Sequence, residues 1–163
     1  MNISIRPYID SLIKEGKKSN SQIYGKACER WVEENLHCPI CSGNLKEYPP
    51  NEPNKDHFCL SCGCDFQVKS SKKISFSKEG HIKVLGAEYS TTLHSVGSNS
   101  TIDYLLIEYD KDLSKINSIY WNRASDFGKN NVIPRNPLSQ NARRAGWQGC
   151  TLVFKAQNLK QLL

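Results

Sequence analysis

Asp56-His57-Phe58-Cys59-Leu60-Ser61-Cys62-Gly63-Cys64-Asp65-Phe66-Gln67-Val68-Lys69 is the stretch on which the reading of this 163-residue chain turns. Its Cys-x-x-Cys has a partner upstream, because Cys38-Pro39-Ile40-Cys41 precedes Cys59-Leu60-Ser61-Cys62 by seventeen residues. Two such pairs separated by a loop have the spacing of a four-thiolate zinc site, each pair forming a knuckle whose amides face the sulfurs. Four thiolates close the tetrahedron and leave no position for water. Cys38, Cys41, Cys59 and Cys62 therefore predict a structural Zn2+ that staples a hairpin, with the zinc-binding segment over about residues 38–62. Cys64 competes only weakly as a ligand, and Cys28 and Cys150 read as buried core thiols.

The ends of the same stretch carry a second chemistry. Gln67 and Lys69 lie two apart on an expected strand and so share a face. A zinc-pinned hairpin brings Asp56 alongside them. A divalent ion needs oxygen ligands held close together, and phosphodiester hydrolysis needs that ion and a cation near the attacking water. Asp56 offers a carboxylate, Gln67 an amide oxygen and Lys69 the cation. An aspartate and a lysine flanking a zinc knuckle can equally be solvated surface groups, so the pattern alone leaves both readings open.

Lys55-Asp56 followed by Gln67-Val68-Lys69 resembles the PD-(D/E)XK nuclease motif. Lys55 stands where the motif has proline, and Gln67 stands where it has a carboxylate, which removes one negative charge from the Mg2+ site. The nuclease resemblance implies a further acid from the first long helix, and Glu29 is the candidate.

A longer pattern narrows this to one family. Lys18-Ser19-Asn20-Ser21-Gln22, Trp31-Val32, the two cysteine pairs, Phe66 to Ser70, Pro137-Leu138 and Ala142-Arg143-Arg144-Ala145-Gly146-Trp147-x-Gly149-Cys150 occur in matching order. Together they resemble the catalytic domain of the DpnI-like, Dam-replacing family of methyl-directed restriction endonucleases, over roughly Lys18 to Leu152. The resemblance implies a PD-(D/E)XK core with a zinc-stabilised segment and Mg2+-dependent cutting of double-stranded DNA. It also implies a target containing N6-methyladenine, of the GATC kind. Asp56 and Gln67 would bind Mg2+ and Lys69 would orient and help deprotonate water. The winged helix that follows in the family is not expected in this chain, so DNA affinity comes from the catalytic domain or from a homodimer.

Further candidates for contact with DNA are Arg135, Arg143 and Arg144, with Trp147 as an aromatic that could stack on a base or anchor the core. Lys72 and Lys73 follow Lys69 and could grip phosphates or merely solubilise the surface; Lys17 and Lys18 pose the same choice. His37, His57, His81 and His94 lack the spacing of an HNH nuclease.

Composition is consistent with these expectations. The net charge of +6 suits a polyanionic partner, and 38% hydrophobic with 23% charged residues describes a globular protein. No apolar run is long enough to span a bilayer, and no secretory signal is evident. A cytoplasmic location follows as an expectation, in which seven cysteines speak for metal and not for disulfides.

One α+β or mixed α/β domain over residues 1–163 is predicted. Its elements are a helix from Ser19-Asn20-Ser21 to about Leu36, a loop over Gly43 to Pro53 with at most one short strand, and strands near Asp56–Leu60 and Asp65–Ser70. A helix over Gly80–Gly97, a strand pair at Ile102–Tyr109 and Ile116–Trp121, a strand at Gly149–Phe154 and a terminal helix over Ala156–Leu163 complete the expectation. The functional expectation is a type II-like restriction endonuclease. A DNA-binding module silenced by Gln67 is the alternative, and a zinc-stapled protein-interaction domain is disfavoured by the charge.

Overall fold

The computed structural model describes residues 1–52, 54–97, 101–136 and 139–163. Pro53, at the edge of the expected loop, and Pro137-Leu138 of the family pattern lie outside them. The chain is mixed α+β and forms two compact units. Unit 1 comprises Met1–Ile74, Ile102–Trp121 and Lys160–Leu163; unit 2 comprises Ser75–Thr101 and Asn122–Leu159.

Unit 1 packs two helices, α1 (Arg6–Lys14) and α2 (Ser21–Asn35), with a six-stranded sheet. The strands are β1 (Leu45–Glu47), β2 (His57–Cys59), β3 (Asp65–Ser71), β5 (Ile102–Asp110), β6 (Lys115–Asn122) and β9 (Leu159–Gln161), neighbours in that order. The first two pairings are antiparallel, whereas β3 and β5 run parallel with Gln67 opposite Tyr104 and Lys69 opposite Leu106. Asn20 caps α2 as expected, its side chain accepting from the Gln22 amide at 3.0 Å. Ile23, Ala27, Trp31 and Val32 of α2, Ile9 and Leu12 of α1, and Phe66, Leu105 and Ile107 of the sheet form one buried cluster. Trp31 is wholly buried, and its indole donates to the Asn2 carbonyl at 2.8 Å. Truncation to alanine leaves a large void and an orphaned carbonyl, so Trp31→Ala should lower the unfolding free energy by about 3–5 kcal/mol, measurable by urea denaturation.

Unit 2 holds a three-stranded antiparallel sheet in which β8 (Gly149–Lys155) lies between β4 (His81–Glu88) and β7 (Val132–Arg135). Two helices complete it, α3 (Tyr89–Gly97) and α4 (Gln140–Arg144). Ile82, Val132, Leu152 and Phe154 are buried, and the Phe127 and Phe154 rings stack at 4.9 Å. Cys150 is a core thiol as expected, as is Cys28 in unit 1. A Cβ on Gly86 would come within 2.5 Å of the Cys150 sulfur, at the irregularity where β4 loses its register with β8.

Two expected helices are corrected. The helix over Gly80–Gly97 is helical only from Tyr89. Its first half is strand β4, because Ile82 and Val84 find Phe154 and Leu152 opposite them, a period-2 pairing invisible in the local sequence. The terminal helix over Ala156–Leu163 is a single 3-10 turn at Ala156–Asn158 followed by β9. The unpaired edge of β6 captures the tail instead, with Leu162 donating to the Ile119 carbonyl at 2.8 Å. Helix α1 went unread, although Pro7 in its first turn and the spacing of Ile5, Ile9 and Leu12 encode it.

Candidate metal centre and acidic cleft

The four cysteines converge as their spacing requires. Their sulfurs all lie within 4.8 Å of one another, with Cys41 and Cys59 3.4 Å apart and Cys38 and Cys62 3.8 Å apart. Zn–S bonds of about 2.3 Å give a tetrahedron with edges of about 3.8 Å, so the cluster fits zinc. The two knuckles share one local fold. In each, the residue after the second cysteine is left-handed, Ser42 at φ 62° and Gly63 at φ 73°. Its amide returns to the first cysteine's carbonyl, Ser42 to Cys38 at 2.8 Å and Gly63 to Cys59 at 3.0 Å. The Ser61 and Cys62 amides point at the Cys59 sulfur, at 3.4 and 3.5 Å. Gly43 lets the knuckles approach, since a Cβ there would meet Ser61 at 2.4 Å. Among the described residues this is the one group of three or more His, Cys, Asp or Glu ligand atoms gathered so tightly.

The hairpin that this cluster pins carries Asp56 to β3. The Asp56 amide donates to the Phe66 carbonyl at 2.9 Å, and its Oδ2 accepts from the Val68 amide at 2.7 Å. Val68 lies between Gln67 and Lys69, so the carboxylate is tied to the one backbone position that separates them. The alternation of β3 buries Phe66 and Val68 and leaves Gln67 and Lys69 half-buried on the opposite face. Lys55, just before Asp56, pairs with Asp65 at 3.3 Å and lies 5.9 Å from the centre of the Tyr48 ring.

Glu29 reaches this region from α2. It lines a cleft with Lys26, Glu47, Tyr48, Lys55 and Asp56. Burial pushes the Glu29 carboxyl upward, the charges of Asp56 and Glu47 add to the rise, and the Lys26 ammonium opposes it. Lys26 donates to Glu29 at 2.9 Å and also contacts Glu47. His57, next to Asp56, is buried, and its Nε2 donates to the Glu29 carbonyl at 2.8 Å, joining β2 to α2. Burial lowers its pKa, which favours the neutral ring. His37, by contrast, is exposed.

Glu47 and Lys26 were not singled out from the sequence. Lys26 had a signal, since Gln22, Lys26, Glu29 and Glu33 fall at helical spacing on one polar stripe of α2. Glu47 had none, because only the pairing of β1 with β2 brings it there.

Lys72 and Lys73 emerge exposed just past β3 in unit 1. The other candidates for DNA contact belong to unit 2. Arg143 and Arg144 are exposed in the last turn of α4, and Trp147 is 37% exposed. Arg135 donates from Nε to the Cys150 carbonyl at 3.3 Å and lies 5.8 Å from the Trp147 ring centre. Unit 2 has eight lysines and arginines against only Glu79, Glu88 and Asp126, so it carries +5 of the chain's net +6. The attraction for a polyanion is concentrated there. No helix among the described residues is long and apolar enough to cross a membrane. In comparison with known families, a model described as DpnI: Dam-replacing family matches residues 5–158.

Proposed function

The chain belongs to the DpnI, Dam-replacing family of restriction endonucleases, whose substrate is DNA, and from that premise we propose that it cuts double-stranded DNA through a Mg2+-dependent PD-(D/E)XK site made of Asp56, Gln67, Lys69 and Glu29. The observation that carries this reading is the bond from the Val68 amide, the backbone position between Gln67 and Lys69, to the Asp56 carboxylate. Asp56 and the Gln67 amide oxygen are hard oxygen donors of the kind Mg2+ takes, and Glu29 lines the same cleft as Asp56. A magnesium ion bound there supplies charge stabilisation at the phosphate and a more acidic water.

The protein's own groups do the rest. Lys69 orients the attacking water and favours its deprotonation by its positive charge. Asp56, fixed by its amide bond, needs no reorganisation to act as ligand. Zn2+ at the four cysteines holds the hairpin and takes no part in the chemistry. Both units are read as parts of one nuclease domain working in the cytoplasm, with Lys72 and Lys73 on phosphates and Arg135, Arg143, Arg144 and Trp147 on the duplex.

The target is read as a short site containing N6-methyladenine. One plasmid, prepared with and without adenine methylation at GATC and incubated with protein and Mg2+, tests this. Cutting of the methylated form alone is the expected result, and cutting of both removes methyl dependence. The Gln67 amide favours one rival, a DNA reader without activity. Salt-dependent gel shifts with no cleavage of either plasmid would support that rival.

A further inference from the structure

Lys26 is a cation placed among carboxylates that the nuclease motif does not name. It stands one helical turn before Glu29 on α2, and its Nζ contacts both Glu29 Oε2 and, across to β1, Glu47 Oε1. Asp56 lines the same cleft. A divalent ion shared by Glu29 and Glu47 would have to sit between their carboxylates, and the ammonium in contact with both occupies that position. Lysine there contributes one positive charge, hydrogen-bonds the acids and supplies no site for water.

We propose that the Lys26 ammonium is a built-in cation of this cleft, standing between Glu29 and Glu47 where a second divalent ion would otherwise bind, so that the zinc-loaded chain takes up one further divalent ion and not two. The inference rests on the reading of Asp56 as a metal ligand for the first ion, and goes beyond it in assigning the second position. It gives the loss of a carboxylate at Gln67 a context. The site has one fewer acid in the motif and one internal cation, a combination that limits how many divalent ions it can neutralise.

Equilibrium titration of the zinc-loaded protein with Mn2+, without DNA, reads the stoichiometry directly. Wild type and Lys26→Arg should each bind one Mn2+ per chain. Lys26→Met should bind two, and so should Lys26→Gln, which keeps hydrogen-bond donors toward the acids and guards against a folding defect in the methionine variant. Adding Glu47→Gln to Lys26→Met should return the count to one. Two ions in wild type, or one in wild type and in both neutral variants with zinc retained, would overturn the proposal. Asp56→Asn separates the two ideas. If it leaves the wild-type count unchanged, Asp56 is not a ligand and the reading above fails, while the difference between chains with and without the Lys26 charge still decides the role of Lys26.

Discussion

Lys69→Ala is expected to reduce DNA cleavage by at least about 10²–10⁴-fold while leaving affinity for uncut DNA nearly unchanged. The asymmetry follows from where Lys69 stands. It lies on β3 two residues after Gln67, on the face opposite the buried Phe66 and Val68, so its loss opens no void in the core. In the proposed mechanism its positive charge would act on the developing nucleophile, a contribution made in the transition state and hardly at all in the bound complex. Binding draws instead on many cations, and unit 2 alone has eight lysines and arginines. One lost phosphate contact should change the salt slope by no more than about one unit. Single-turnover cleavage and gel shifts in EDTA measure the two quantities separately. Wild-type cutting by the variant would remove Lys69 from the mechanism, and an equal loss of binding and cutting would make it a DNA anchor.

The largest effect on stability is expected from the zinc cluster. Cys59→Ser, or stripping the metal with a strong chelator, should release the segment from Cys38 to Cys62 and with it β2. Structural zinc contributes about 10–16 kcal/mol of apparent binding energy in small zinc domains, against a total stability of about 5–15 kcal/mol for a typical domain. Apart from the sulfurs, the segment is held by short strand pairings, the buried Leu45 and the bond from His57 to the Glu29 carbonyl. Its strands are three residues each, Cys41 and Cys62 are exposed, and Leu60 is 61% exposed. The core around Trp31 and Phe66 includes Cys38 and Cys59, but most of its members lie outside the segment, so the loss should be local first. Asp56 would then lose its register with Phe66, and activity should vanish while α2 remains helical. Zinc content, proteolysis across residues 42–63 and far-UV circular dichroism read these effects together. A Cys59→Ser chain that resists protease as wild type does would show that zinc is not the staple.

What was legible in the sequence was what short-range chemistry encodes. The cysteine spacing gave the four-thiol cluster, Asn20 and the apolar stripe through Trp31 gave α2, and the alternation of β3 put Gln67 and Lys69 on one face. The misread elements depend on distant partners. Residues 81–88 carry both helical and strand patterns, and β8 decides between them by pairing. The tail from Ala156 becomes strand only because β6 offers an edge. Asp103 is buried and accepts from the Trp121 indole at 2.8 Å, a pairing across two strands that local pattern cannot announce. Within the cleft, Asp56 and Glu29 were singled out from the sequence and Lys26 had a helical-spacing signal that was not used, whereas Glu47 had none, since it arrives through the β1–β2 pairing.

The central claim is that Asp56 holds the divalent ion on which DNA cleavage depends. Its most direct test is the Mg2+ dependence of plasmid cleavage by wild type and Asp56→Asn, a substitution that keeps an oxygen acceptor for the Val68 amide while removing the charge. Wild type should cut only with added Mg2+ and stop in EDTA, and Asp56→Asn should not cut at any Mg2+ concentration. Cleavage by wild type in EDTA, or full activity of Asp56→Asn, would contradict the account.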